Sequence, residues 1–196
     1  MSAICTVSKN TDIQLHPAAR FAYEWSQLYP RLISHGRAPN EPMTILSRTA
    51  LHCVIQAGNE DSRSKSRTFL FYSPIWAALC WPSGHPPVGS QLIYETSNAV
   101  PTEKQIEIEA WCSALQPLLL SVQTSQIALL RDSLQSMMPQ SVSKLLFDKS
   151  KISDTDICHW TGLARGTLIQ QRARRANTLN QEPFDPVSFL SANWNL

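Results

Sequence analysis

The hydrophobic and polar positions of this 196-residue chain change character near its middle. Before residue 100, short apolar runs alternate with turn-rich segments, a pattern typical of strands and short helices. Past Pro101, apolar residues recur at helical intervals over several turns. We therefore predict an α+β fold, with an N-terminal mixed α/β portion over residues 1–100, a C-terminal helical portion over 101–180, and an arm over 181–196.

The N-terminal portion begins with a polar stretch and then shows a helical pattern over residues 17–34. Phe21, Trp25 and Leu28 fall at helical spacing there, and Pro17 suits the first turn of a helix. The segment around Pro74 favours a strand before the proline and either a strand or a helix after it. Further strands are predicted within residues 44–57 and 91–98, with a polar loop over 58–66.

The helical portion opens with a capping box formed by Thr102 and Gln105. Pro117 is predicted to kink this helix or to divide it in two, and Pro139 to end the helical run before a short helix that starts at Ser141. The predicted inward face comprises Ile106, Ala110, Leu115, Leu119, Val122, Ile127, Leu130 and Leu134.

Residues 152–177 predict two helices joined by a sharp bend. Ser153 or Asp154 can cap the first helix, whose inward residues are Ile157 and Cys158, and Gly162 stands where the bend needs a residue that tolerates positive φ. The second helix begins near Ala164 or Arg165, with Leu163 anchoring the turn. We place Thr167 and Leu168 on its inward side, and Trp160 between the two helices.

The stretch TGLARGTL, residues 161–168, resembles the turn and the start of the recognition helix in bacterial helix-turn-helix regulators, including the tetracycline-repressor type. The resemblance covers about thirty residues and implies a helix-turn-helix whose second helix faces nucleic acid. Gln171 departs from the pattern, since such domains usually carry an apolar or aromatic residue at that position. The motif also lies far from the N-terminus, where many of those repressors carry it.

The charge distribution supports the same segment. The formal net charge is only +2, and acidic and basic residues balance up to residue 161. Residues 162–180 contain Arg165, Arg172, Arg174 and Arg175 and no acidic residue. A basic segment of this kind is typical of a local anion-binding surface.

Each candidate residue has a chemistry suited to nucleic acid. Arg165 and Gln170 can pair with guanine and adenine edges in a major groove, whereas Arg172, Arg174 and Arg175 suit phosphates. The full set of candidate nucleic-acid-binding residues is Arg165, Thr167, Gln170, Gln171, Arg172, Arg174 and Arg175.

Other chemistries have weaker support. The five cysteines form no C-x-x-C pair, and the neighbours His52–Cys53 and Cys158–His159 lack a second pair at ligand spacing, so we predict no metal and no cofactor. No common catalytic motif is present, and we expect a protein that is not an enzyme. Without a signal-peptide pattern or a spanning apolar run, we expect a cytoplasmic protein that is not associated with a membrane.

Three functional hypotheses follow. The first is a homodimeric, sequence-specific DNA-binding regulator, because one recognition helix contacts few base pairs. The second is a DNA- or RNA-binding subunit of a larger nucleoprotein assembly, such as an RNA-guided defence complex or a plasmid transfer or replication machine. The third is a structural adaptor that uses the helical motif for protein contacts.

Overall fold

The chain contains two compact units. The first comprises Met1–Ser121 and Met137–Ser150, and the second comprises Val122–Ser136 and Lys151–Leu196. Strands occur only in the first unit among the described residues, and the C-terminal half is helical, which confirms the α+β class. The architecture is that of a computed structural model, which describes residues 2–28, 49–56, 67–81, 84–95, 100–121 and 124–181.

A five-stranded mixed sheet forms the centre of the first unit, in the order β1-β5-β3-β4-β2. Adjacent pairs alternate between antiparallel and parallel across the sheet, starting with the antiparallel pair β1 and β5. The strands are β1 (Ser2–Thr6), β2 (Asp12–Leu15), β3 (Ala50–Ile55), β4 (Thr68–Ser73) and β5 (Gln91–Glu95).

Strands β3, β4 and β5 confirm the strand predictions made for those segments, whereas β1 and β2 were missed. Both missed strands lie at the sheet edges and pair with strands far away in sequence: Cys5 lies opposite Leu92, and Asp12 opposite Thr68. Edge strands bury little apolar surface, and β1 shows no fully buried residue, so the hydrophobic pattern marks them poorly. The predicted loop at 58–66 lies outside the described residues.

The helices of the first unit pack around one long central helix. This helix, α3 (Glu103–Ser121), contacts α1 (Arg20–Ser26), α2 (Ile75–Leu79), strand β4 and α5 (Gln140–Phe147). A Trp25–Trp111 ring pair with centroids 5.3 Å apart joins α1 to α3, and both side chains are fully buried. Aromatic burial of this kind contributes strongly to a core.

Several helix predictions are confirmed at their boundaries. The Thr102 amide donates to Gln105 Oε1 at 2.8 Å and the Gln105 amide to Thr102 Oγ1 at 3.3 Å, which completes the capping box. Pro17 begins a 3₁₀ turn that leads into α1. Pro139 occupies the N-cap of α5, which begins at Gln140, one residue before the predicted start at Ser141.

Other details of the helices were not determined by the sequence pattern. Phe21 and Leu28 are about half exposed, because Ala22 and Trp25 supply the buried face of α1 instead. Of the two alternatives predicted for Pro117, a kink or a division of the helix, the division does not occur, because α3 continues past Pro117 to Ser121. A proline removes only its own N–H from the helical ladder, and bonds on either side can continue. The Leu119 side chain and Val122 lie outside the described set, whereas the other predicted inward residues of 102–138 are buried.

Within its described residues, 124–136 and 151–181, the second unit contains a 3₁₀ turn, Thr124–Gln126, and three helices. They are α4 (Ile127–Met137, of which the last residue belongs to the first unit), α6 (Asp154–Thr161) and α7 (Arg165–Gln181). Its described core is small and aliphatic. No helix within the described ranges combines the length and the apolar run that a bilayer crossing requires. The fully or almost fully buried apolar residues of this unit are Ile127, Ala128, Leu130, Leu134, Ile152, Ile157 and Leu168.

Candidate nucleic-acid interface

Local capping interactions position helix α6. Ser153 is its N-cap, and the Asp156 amide donates to Ser153 Oγ while the Ser153 amide donates to Asp156 Oδ2 at 2.9 Å. This reciprocal pair satisfies backbone donors that the first turn would otherwise leave open. The helix therefore begins where the sequence predicts, and Asp156 completes the capping box.

The bend between α6 and α7 depends on a left-handed glycine. Gly162 has φ 68° and ends α6, as predicted. A Cβ at such a φ is strained, which explains the glycine. Helix α7 then begins at Arg165, with the Ala164 carbonyl accepting from the amides of Thr167 and Leu168. Two helices thus meet at a short turn over residues 162–164.

The inward side of α7 is only partly the predicted one. Leu168 is completely buried, as expected, but Thr167 is exposed. Adjacent helical residues point about 100° apart, so Thr167 cannot lie on the same buried side as Leu168. Trp160, predicted to pack between the helices, leaves 43% of its surface exposed, because Ile157 and Leu168 supply the buried contacts of these helices.

A network of ion pairs holds α7 to its neighbours. Arg172 donates from Nη1 and Nη2 to the two carboxylate oxygens of Asp154 at 2.6 and 2.8 Å, and from Nη2 to Asp132 Oδ1 at 3.0 Å. Arg131 Nε lies 3.1 Å from Asp154 as an ion pair without hydrogen-bond geometry. Arg175 Nη1 lies 3.5 Å from Asp132 Oδ2. The network therefore joins α4, α6 and α7, and planar bidentate pairing makes the Arg172–Asp154 contact its strongest member.

The network shifts the protonation equilibria of its members. Hydrogen bonds from Arg172 lower the pKa of Asp154, burial opposes this effect, and the positive charges of Arg172, Arg131 and Arg165 lower the pKa further. The same pair raises the pKa of Arg172. Both groups are thus charged over the whole range in which proteins normally operate.

Gln171 has a structural role that its departure from the family pattern did not suggest. Its Oε1 accepts from the Ala128 amide at 3.1 Å, and its Nε2 donates to the Thr124 carbonyl at 2.7 Å. The Ala128 amide belongs to the first turn of α4, where backbone donors lack helical partners. Gln171 therefore caps α4 from another helix, which gives its polar side chain a structural role.

The candidate residues consequently divide into two groups. One group faces α4 and α6 and consists of Gln171, Arg172 and Arg175. To bind Arg172, a phosphate would have to displace the carboxylates of Asp154 and Asp132. The remaining candidates, Arg165, Thr167, Gln170 and Arg174, are exposed on α7.

Sequence reasoning missed the acidic partners of these arginines. Asp132 lies 40 residues before Arg172, and no local pattern connects the two. Asp154 stands at the start of α6, where an acid is expected for the helix dipole alone. The acid-free composition of residues 162–180 thus coexists with acidic side chains supplied by α4 and α6.

The described residues offer little support for the other candidate chemistries. They contain no group of three or more His, Cys, Asp or Glu side chains that could hold a metal ion. Cys53 is buried in the sheet, and burial raises the pKa of its thiol to about 12, so it is a poor nucleophile. Neither a protein-family model, nor a curated protein, nor a solved structure matches the chain.

Proposed function

We propose that the second unit binds nucleic acid through the exposed side of α7, without catalysis, and that DNA is the preferred ligand. The observation that carries the proposal is that the two sides of helix α7 have different surroundings. Leu168, Gln171 and Arg172 hold α7 in place, while its opposite side is exposed and contains no acidic residue. A rigid, acid-free helix surface suits a polyanionic ligand.

The charges of the second unit support this surface. Its acidic residues within the described ranges are all engaged: Asp132 and Asp154 in ion pairs, and Asp156 in the α6 cap. Among the described residues of the unit, the basic residues Lys151, Arg165 and Arg174 are exposed, whereas each acidic residue is partly or fully buried. Positive charge displayed in this way attracts a phosphate backbone and releases its counterions.

The roles of the individual residues follow from their positions. Arg165, predicted to pair with a guanine, is assigned instead to a phosphate, because it is turned by about 140° around the helix from Gln170. Arg174 is likewise assigned to a phosphate, and Thr167 to a further backbone contact. Gln170 is assigned to a base edge. Gln171, Arg172 and Arg175 are assigned to holding the helix, so that they act on binding indirectly. A homodimer would present two such helices to a two-fold symmetric site.

The test is the salt dependence of binding by the full chain. Fluorescence anisotropy measures the affinity for a labelled DNA duplex of about 30 base pairs, for its single strand and for an RNA duplex of the same sequence over a series of salt concentrations. The double variant Arg165→Ala/Arg174→Ala should lower the steepness of the log–log salt dependence by about one for each lost phosphate contact.

The matched control is Arg20→Ala, which removes an exposed arginine of the first unit that pairs with Glu24. It should leave the salt dependence unchanged. Equal slopes for the double variant and the wild-type chain would contradict the assignment of the surface. If the wild-type chain binds none of the three probes at low salt, the proposal fails, and the result favours the hypothesis of a structural adaptor.

A further inference from the structure

The outward side of α7 carries an unusual set of side chains. Successive helical residues turn by about 100°, and the inward side is defined by Leu168, Gln171, Arg172 and Arg175. The opposite side is therefore a stripe at positions 166, 170, 173 and 177, all of which are exposed. We name this the outward stripe; it consists of Gly166, Gln170, Ala173 and Asn177.

We infer that the outward stripe reads A·T base pairs in the major groove of B-form DNA, with Gln170 and Asn177 each pairing with an adenine. This inference rests on the proposed function and names its ligand. The stripe contains no lysine or arginine, so a guanine contact of the usual kind has no donor there. The carboxamides of Gln and Asn match the N6 donor and N7 acceptor of adenine in a bidentate arrangement.

The small residues of the stripe suit a close approach. Gly166 has no side chain, and a Cβ built on it meets no neighbouring atom within 4 Å, so packing inside the protein does not explain the glycine. Ala173 lies between the two amides and can contact the methyl group of thymine, the apolar feature of an A·T pair. A helix with a shallow outward side can sit deeper in the groove than one with long side chains.

The spacing along the helix fits the spacing of bases. Gln170 and Asn177 are two turns apart, which places their Cα atoms about 10 Å apart along the axis. Three base-pair steps of a DNA strand span nearly the same distance, about 10 Å. The stripe is therefore matched to two adenines separated by three steps, with Ala173 over the intervening pairs. Arg174, at the edge of the stripe, is placed to reach the flanking phosphates.

Duplex RNA is excluded as the ligand of the stripe by groove shape. The major groove of an A-form helix is deep and narrow, and protein side chains cannot reach its base edges. The major groove of B-form DNA is wide enough to admit an α-helix. The amides are therefore useful on α7 only if the duplex is DNA.

The experiment uses a pool of DNA duplexes with a randomised centre, from which the full wild-type chain selects binders. We expect enrichment of sites in which two adenines stand three steps apart. The selected duplex is then synthesised with 7-deazaadenine at those two positions, which removes the N7 acceptor and leaves Watson–Crick pairing intact. Each replacement removes one of the two hydrogen bonds of a bidentate contact, so it should weaken binding by about 2- to 12-fold, which corresponds to half of the free energy of that contact.

Variants then connect each base to its residue. The Gln170→Ala variant should bind the selected duplex more weakly, and its affinity should no longer change when 7-deazaadenine replaces one of the two adenines. The Asn177→Ala variant should show the same behaviour at the other adenine. Gln140→Ala, an exposed amide at the start of α5 in the first unit, is the matched control and should retain both sensitivities. The measurement on the wild-type chain stands even if a variant fails to fold.

The outcomes separate this inference from the proposed function. Salt-dependent binding to DNA without enrichment of adenines, or with full tolerance of 7-deazaadenine, overturns the inference and leaves the proposed function intact. Equal affinity for an RNA duplex of the selected sequence also overturns it, because it shows that the backbone alone is contacted. Absence of binding to every duplex in the pool, together with no binding to the single strand or to the RNA duplex, overturns the proposed function itself.

Discussion

The Arg172–Asp154 pair should be the main electrostatic contribution to the stability of the second unit. The change that tests this is Asp154→Asn, alone and combined with Arg172→Gln in a double-mutant cycle. The wild-type pair has two charge-assisted hydrogen bonds at 2.6 and 2.8 Å. The side chains of Arg172 and Asp154 are 30% and 21% exposed, so solvent screens the pair only partly.

The expected coupling energy lies between two limits. Exposed ion pairs contribute about 0.2–1 kcal/mol, and hydrogen bonds to charged groups about 1.5–3 kcal/mol each. For a half-screened bidentate pair we expect about 1–2 kcal/mol. The loss of the Asp154 charge at the start of α6 also removes a helix-dipole interaction, but this effect appears in the single variant and cancels in the cycle.

Hydrogen exchange measured by mass spectrometry gives a local readout, which matters because the chain has two units that need not unfold together. Amides in peptides covering residues 154–175 should exchange about 5- to 30-fold faster in the Asp154→Asn variant, since each 1.4 kcal/mol changes an opening equilibrium tenfold. Peptides from the sheet should be unaffected. The matched control is Glu24→Gln, which breaks the exposed Arg20–Glu24 pair and should change exchange less than about threefold.

The same pair predicts a pH dependence. Because the folded-state pKa of Asp154 is lowered, its contribution is present above the unfolded value, about 4, and is lost as the pH falls through the folded value. Protection of residues 154–175 should therefore decline in acid more steeply in the wild-type chain than in Asp154→Asn. A coupling energy indistinguishable from zero, or identical acid profiles for the two proteins, would refute this account of the network.

Three further tests, two of them with a matched control substitution, probe the second unit by urea unfolding and hydrogen exchange. Leu168→Ala, at a completely buried position, should destabilise the unit by about 2–5 kcal/mol. Its control, Ile169→Ala at an exposed position, should change stability by less than about 0.5 kcal/mol. Similar effects of the two substitutions would contradict the inward side assigned to α7. Gly162→Ala should destabilise the unit by about 1–2 kcal/mol because the φ of Gly162 is 68°. Gly166→Ala, in open space inside a helix, should stabilise it by up to about 1 kcal/mol. A stabilising effect of Gly162→Ala would argue against the left-handed bend. Gln171→Ala should destabilise by about 1–2 kcal/mol because it leaves the Ala128 amide and the Thr124 carbonyl without the side chain that bonds both. A neutral result would mean that water replaces the side chain fully.

Capping and bending signals were accurate because they act within a few residues. The cap at Ser153 and the box at Thr102 each join backbone and side-chain groups three positions apart. Gly162 was identified because only a residue without Cβ adopts positive φ at little cost. The division of the chain into a strand-containing half and a helical half followed in the same way, from apolar periodicity that any short window contains.

The edge strands and the partners of the arginines could be known only from the tertiary structure. Strand β1 exists because it pairs with β5, about ninety residues later, and its five residues, none of them fully buried, carry little signal of their own. The hydrophobic spacing of α1 similarly did not reveal that Phe21 faces outward, since the buried side depends on what packs against the helix. Rotation of a helix about its axis is set by its neighbours, and propensity alone does not determine it.

The arginine-rich helix shows the same limit most clearly. The sequence by itself determined that a bend at Gly162 precedes a helix without acidic residues, because helix signals and charge are local properties. Only the tertiary structure decided which of those side chains remain exposed, because Asp132 and Asp154 reach Arg172 from two other helices. Charge pairing acts through space, over distances along the chain that no local pattern records.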